Sequence, residues 1–231
     1  MAQDTKKNYQ RLPWQQRLVA EKNCWQRGYV RVAGLDEAGR GPLAGPVVAA
    51  VFIIRPEFDL PLLNDSKQLT VAQREHCYAH LTSGAWEYGV GVVDPAAIDR
   101  INIYQASRQA MLQALRSLAA APDFLLVDAL QVPETDIPQR AMIHGDALSV
   151  AIAAASVIAK VTRDRMMAEY DALYPGYGFA KHKGYPTREH YQALRDLGVT
   201  PLHRLSFKLE REPEPGFLDL FVEEGAAASE D

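Results

Sequence analysis

The chain has 231 residues with an apolar share of 48%, enough for one α/β core with appended helices. Its two cysteines, Cys24 and Cys77, exclude a disulfide framework or a zinc cluster and make a reducing, cytoplasmic setting the expectation, and neither a secretory segment nor a membrane-spanning run of roughly 18 apolar residues is expected. The net charge of −4 speaks weakly against a nucleic-acid partner, but it averages an acidic tail (seven acids and no Lys or Arg from Glu212 onward) with a basic stretch (ten Lys or Arg against six acids over 160–211).

Residues 12–22 have helical periodicity, with Pro13 suited to a first turn. Residues 30–35 form a short apolar strand, broken by the glycine-rich run 36–45. The β-branched run 46–54 is a buried strand. Residues 64–81 are a polar turn and a helix, and 86–93 alternate loosely as a third strand. Asp94-Pro95 opens a helical region that continues through 103–118 and runs out at Pro122. Residues 124–127 are a buried strand ending at Asp128. Residues 140–143 are another strand, followed by Gly145-Asp146, and 149–170 are a long helix rich in small residues. Thr187 caps a further helix with Glu189 in its first turn; His190 stands where a capping box needs Glu or Gln, so the cap rests on Thr187 alone. From Pro213 the composition is that of a mobile tail. There are no internal repeats.

Three strands, a helix, a strand and more helices imply an α/β mixed sheet with helices on its faces. The expected division is an N-terminal helical extension (1–28), a catalytic core (29–186), a small C-terminal helical region (187–211) and an acidic tail (212–231).

The chemistry-bearing feature is a set of acids beside apolar strands. Asp36 and Glu37 follow 32–35, Asp128 follows 124–127, and Asp146 precedes the long helix. A charge at the end of a buried strand needs a partner, and gathered carboxylates repel one another unless a cation joins them. Hard oxygen donors suit Mg²⁺ or Mn²⁺. Any one of these acids alone is more readily a turn former or helix cap; their recurrence favours metal, although sequence alone does not place them together. Asp36 and Glu37 pose a geometric question, because strand neighbours point to opposite faces. Either the strand ends at Asp36 or one carboxylate serves from the side, with Gly34 and Gly39 permitting a distortion. Gly39-Arg40-Gly41-Pro42 follows directly. Such a turn lets main-chain groups meet a ribose 2′-OH, and Arg40 adds a phosphate contact, although most Gly-x-Gly turns are only turns.

The run 34–47 (GLDEAGRGPLAGPV) resembles the opening signature of the ribonuclease HII family. Asp65-Ser66-Lys67-Gln68-Leu69, Val127-Asp128-Ala129, Gly145-Asp146, residues 152–164 (IAAASVIAKVTRD) and 182–187 (HKGYPT) follow in that family's order, so the resemblance covers about 30–206. It implies a ribonuclease H-like fold with a small C-terminal helical region. It implies two divalent cations, Mn²⁺ or Mg²⁺, held by Asp36, Glu37, Asp128 and Asp146. It further implies that Gly39, Arg40 and Gly41 recognise the ribonucleotide and that Tyr185 packs on the sugar beyond the cleaved junction. Lys67, Lys160, Arg163, Lys181 and Lys183 are candidate phosphate contacts against the alternative of solvated surface charge, and Asp164 is expected to pair with a neighbouring Arg. The implied reaction is hydrolysis of the RNA strand of RNA–DNA hybrids and cleavage 5′ of ribonucleotides embedded in duplex DNA, leaving 5′-phosphate and 3′-hydroxyl ends, in replication and ribonucleotide removal; nothing in the sequence demands more than a monomer. The sister family, ribonuclease HIII, usually has Lys where Arg40 stands and carries a large N-terminal domain, so HII fits better. The run 217–221 (FLDLF) resembles a peptide that docks on the replication sliding clamp, without its usual opening Gln; a helix folded back on the core is the alternative. A hybrid-binding module without catalysis is the rival least compatible with four acids facing a phosphate backbone. A Holliday-junction resolvase on a similar sheet is the rival least compatible with the Gly39-Arg40-Gly41 reader.

Overall fold

The computed structural model describes residues 12–209. Helices α1 (Trp14–Arg17) and α2 (Val19–Gln26) lead into strand β1 (Val32–Ala38). The single helix expected over 12–22 is two, hinged at Leu18, and Pro13 is the residue before the first turn. Strand β2 (Val47–Ile54), a 3-10 turn (Ser66–Gln68) and α3 (Val71–Leu81) follow. Thr70 and Gln73 close a capping box at the start of α3, which fixes where the polar turn becomes helix. After β3 (Tyr88–Val93), the helical region opened by Asp94 divides into α4 (Pro95–Ile101) and α5 (Ile103–Arg116). Asn102 takes a left-handed φ of 67° there, and its side chain caps the restart by accepting from Gln105 N. Then come β4 (Phe124–Asp128), β5 (Gln139–Met142), α6 (Gly145–Leu148), α7 (Val150–Leu173), α8 (Phe179–His182) and α9 (Arg188–Leu197). Thr187 caps α9 through His190 N, as its sequence indicates.

The sheet order is β3-β2-β1-β4-β5. Strand β1 is central, antiparallel to β2 and parallel to β4. It alternates strictly. Val32 faces α7 in one apolar cluster with Phe52, Ile54 and Leu126, while Ala33 and Leu35 face α5 in another with Val51, Ile53 and Val127. Gly34 keeps regular pairing with Phe52 and Leu126. A Cβ on it would lie 2.0 Å from the carbonyl carbon of Ala151. Its role is therefore close approach of α7 to the sheet, not the strand distortion that the sequence suggested.

A third apolar cluster (Ala44, Met167, Tyr177, Phe179, Ala193, Leu202) joins the C-terminal helices to α7 and to the loop after β1. None of the described helices is long and apolar enough to cross a membrane.

Candidate active site

Parallel strands β1 and β4 are registered with Leu35 beside Val127. The next residues, Asp36 and Asp128, therefore stand side by side at the carboxyl ends of adjacent strands, on the α7 face. Strand β1 does not end at Asp36: pairing continues through Glu37 to Ala38. Glu37 leaves the opposite face, where it pairs with Arg40, and its charge is felt by Asp36 and Asp128. Asp36 is 6% exposed, and it accepts from Glu37 N (2.7 Å) and from the Ser156 hydroxyl of α7. Burial, then the charges of Glu37 and Asp128, hold its carboxyl well above the usual range. Burial pushes Glu37 up to about 7, with Asp128 adding repulsion and Arg40 opposing it. Glu37 Oε1 pairs with Arg40 Nη1 at 3.2 Å, whereas Oε2 is buried with no hydrogen-bond partner.

Asp128 is tied to the other acid-bearing loop, since its Oδ1 accepts from Gly145 N at 2.7 Å. Burial raises its pKa. Asp146, in the first turn of α6, is pushed up to about 7 by burial and by the charges of Asp65 and Asp128. Asp65 caps the 3-10 turn through Lys67 N (2.9 Å), so the cap also brings Lys67 into the group. Burial works against the Lys67 charge, but Asp65, Asp146, Tyr185 and Asp36 together hold its pKa above the ordinary value. No three described Asp, Glu, His or Cys side chains are preassembled around one ion position. The donor set is still that of a hard divalent cation: carboxylates that raise one another's pKa, with one buried oxygen unpartnered.

The loop 39–46 leaves β1 directly beside this group, with Arg40 paired to Glu37. Gly39 has φ 95°, and a Cβ there would lie 2.2 Å from Arg163 Nε. A Cβ on Gly41 would sit 3.8 Å from Tyr185 Cε1, so the tyrosine ring stands opposite Gly41. Two buried arginines hold the loop from behind. Arg163 donates to the carbonyls of Pro46 (2.9 Å), Lys183 (2.9 Å) and Ala44 (3.0 Å). Arg204 donates to those of Gly39 (2.6 Å), Arg40 (3.0 Å) and Gly45 (2.8 and 3.0 Å). Burial and the neighbouring Arg163 lower the Arg204 pKa to about 9.

A family model described as Ribonuclease HII matches residues 33–210. The chain belongs to the ribonuclease HII family. The enzyme class is thus that of a type 2 RNase H endonuclease. A ribonuclease HII from Desulfitobacterium hafniense is 54% identical over 204 residues, covering 84% of this chain and 78% of that protein. The crystal structure of the ribonuclease H2 from Pyrococcus horikoshii superposes with a TM-score of 0.67 at 30% identity, covering 79% of this chain and 96% of that one. That of Bst-RNase HIII in complex with Mn²⁺ has a TM-score of 0.60 at 18% identity, over 82% of this chain and 70% of that one, a likeness of fold.

Within the ribonuclease HII fold, the basic residues singled out by sequence part company. Arg163 is corrected: it is 1% exposed and its donors are spent on carbonyl oxygens, so it braces the loop and offers nothing to a phosphate. Asp164 pairs with Lys160 at 3.1 Å, not with an Arg, because Lys160 lies one turn back on the same helix face. Lys160 Nζ also lies 5.9 Å from the Tyr185 ring centroid. Lys181 is exposed and pairs with Glu189 at 2.6 Å. Lys183 is half-buried, with its pKa lowered by burial. Sequence reasoning missed Arg204 and Asp65 as members of the site. Asp65 lay within a quoted motif and could have been found there; Arg204 carried no local signal. The N-terminal helices, outside the matched span, also reach the site. Buried Glu21 accepts from Ser149 Oγ (2.6 Å) and Ala151 N (2.9 Å) at the start of α7, and Arg17 donates to the carbonyls of Leu63 and Asp146. The run 217–221 and the tail lie outside the described residues.

Proposed function

We propose that this chain hydrolyses the RNA strand of RNA–DNA hybrids and cuts 5′ of ribonucleotides embedded in duplex DNA, leaving 5′-phosphate and 3′-hydroxyl ends. The observation that carries this reading is the adjacency of two features. Asp36 and Asp128 stand side by side at adjoining strand ends with Glu37 and Asp146 close by, and the braced Gly39-Arg40-Gly41 loop adjoins them, Arg40 pairing with Glu37 and Gly41 exposed next to the Tyr185 ring. Asp36, Glu37, Asp128 and Asp146 would hold two divalent cations, Mn²⁺ or Mg²⁺, which supply charge neutralisation at the scissile phosphate and a more acidic water.

The chain's own groups do the rest. Exposed Gly41 presents main-chain N–H and C=O to the 2′-OH, which is both donor and acceptor, and Gly39, tied to Arg204 through its carbonyl, shapes the turn that recognises the ribonucleotide. Arg40, exposed at the loop tip, meets the adjoining phosphate. Lys67, held charged among the acids, approaches the scissile phosphate. The Tyr185 ring packs on the sugar past the junction and tests that it is deoxyribose. Lys160, Lys181 and Lys183 line the path of the backbone. The core spans 29–186, the helical region 187–211 supports the substrate, and the protein acts as a monomer in the cytoplasm in ribonucleotide removal. The run 217–221 docks on the sliding clamp; absence of binding between that peptide and the cognate clamp at high micromolar concentration would remove this part.

Replacing Asp36 or Asp128 with Asn tests the whole. Turnover should vanish in Mn²⁺ and Mg²⁺ buffers while circular dichroism and melting stay those of a folded protein. Retained turnover by either variant contradicts the assignment. Cleavage of junction DNA lacking any ribonucleotide would point to a resolvase instead.

A further inference from the structure

Behind the Gly184-Tyr185 turn lies a buried polar group that the proposed chemistry does not use. His182 ends α8, His190 is in the first turns of α9, and His203 follows that helix; they are 7%, 0% and 2% exposed. The rings of His182 and His190 stack with centroids 4.4 Å apart. His190 Nε2 and His203 Nε2 are 3.1 Å apart.

The backbone partners fix every proton. Tyr185 O can only accept, so His190 Nδ1 donates to it at 2.9 Å. A neutral imidazole then has Nε2 as acceptor. Thr200 N donates to His203 Nδ1 at 2.9 Å, so His203 carries its proton on Nε2 and gives it to His190. Gly184 N donates to His182 Nδ1 at 3.1 Å, and His182 Nε2 donates to Tyr177 O at 2.7 Å. All six ring nitrogens are engaged in one consistent set of neutral tautomers. Burying three imidazoles is costly unless each is satisfied, and an apolar trio would fill the same space without that requirement.

What the set holds is specific. Two of its four backbone contacts, Gly184 N and Tyr185 O, are the main chain of the turn that carries the tyrosine, and the other two, Tyr177 O and Thr200 N, anchor the set to the flanking segments. From its other side, Gly184 O accepts from Leu43 N at 2.8 Å. A Cβ on Gly184 would lie 2.3 Å from Ala44 O, so the turn is pressed against the loop 39–46.

We propose that His182, His190 and His203 form a positioning set that fixes the Tyr185 ring against Gly41 and thereby sets the preference for a ribonucleotide–deoxyribonucleotide junction over a continuous RNA strand. This rests on the reading that Tyr185 tests the sugar past the junction. The histidines touch no substrate; they act through Tyr185.

The readout is a ratio: kcat/KM on a duplex with one embedded ribonucleotide over kcat/KM on a continuous RNA–DNA hybrid. His190→Phe should lower that ratio about 10-fold, the scale of one lost hydrogen bond. His190→Asn, whose amide can still donate to Tyr185 O, should restore most of it. In a Tyr185→Ala background, His190→Phe should change the ratio no further. An equal fall on both substrates, or an unchanged ratio where Tyr185→Ala collapses it, overturns the inference and leaves the Tyr185 reading intact. An unchanged ratio in Tyr185→Ala overturns both. Nitrogen NMR of the imidazoles in the unaltered protein is an independent check. It should find His190 protonated on Nδ1 and His203 on Nε2 near neutral pH, and any other tautomer overturns the inference.

Discussion

Glu37→Gln should stabilise the metal-free protein in alkaline solution, although it removes a proposed ligand. The Glu37 side chain is 8% exposed, and burial followed by the Asp128 charge raises its pKa from 4.5 to about 7. A carboxyl with a raised folded-state pKa binds more protons folded than unfolded between those two values. Stability is therefore lost as pH rises through that window, and the loss is complete above about 7. At 1.36 kcal/mol per unit, the ionised group costs about 3 kcal/mol at about pH 8 and under ~1 kcal/mol at about pH 5. The pair with Arg40 is already within that balance, and burying a glutamine amide takes back part of the gain. The net expectation is about 2 kcal/mol at about pH 8, or ~4–8 °C in melting temperature for a chain of this size. The assay is thermal unfolding in EDTA at both pH values. A variant no more stable than the parent at pH 8, or a gain equal at both pH values, would refute the claim that Glu37 is held ionised at a cost. With Mg²⁺ or Mn²⁺ added, the parent should gain more than the variant.

Gly34→Ala forces α7 off the sheet, because the new Cβ would meet Ala151 main chain rather than a side chain that can turn away; denaturant unfolding should show a loss of about 3 kcal/mol or more. Arg204→Lys leaves several of the carbonyls of Gly39, Arg40 and Gly45 unpaired; a loss of ~2–3 kcal/mol and a raised KM for a ribonucleotide-bearing duplex are expected, and an unchanged KM would separate the brace from recognition. His190, lowered by burial to about 3 from 6.5, titrates with the opposite sign to Glu37: its contribution is lost as pH falls below about 6.5. At about pH 5 the loss is about 2 kcal/mol, measured as the stability difference from His190→Asn across pH so that the carboxylates cancel.

Strong local patterns were legible. The apolar runs of β1, β2 and β4 announce themselves, and an acid directly after such a run is visible as Asp36 and Asp128 without any structure. Their adjacency was not, because it depends on parallel pairing of positions far apart in the chain, Leu35 with Val127. The breaks at Leu18 and Asn102 escaped because neither is a glycine or proline; Asn102 reaches its left-handed φ by virtue of the side chain that caps α5. Arg163 reads as one more surface cation in a polar helix end, and only tertiary structure reveals that the helix turns it inward under the loop 39–46. Glu21 misleads likewise, since a charged residue in a polar helix reads as solvated, yet it caps the start of α7. Arg204 joins the site from a turn far along the chain, where nothing nearby in sequence marks it.

The central claim is that a carboxylate-held metal centre and a ribose-reading loop act on one phosphodiester. The most direct measurement is cleavage of a DNA duplex carrying one ribonucleotide, in Mg²⁺ or Mn²⁺, beside the same duplex in all-DNA form and an EDTA control. A single cut on the 5′ side of the ribonucleotide, absent from both controls, is the predicted result. Cleavage of the all-DNA duplex, or no cleavage by folded protein with metal present, would contradict it.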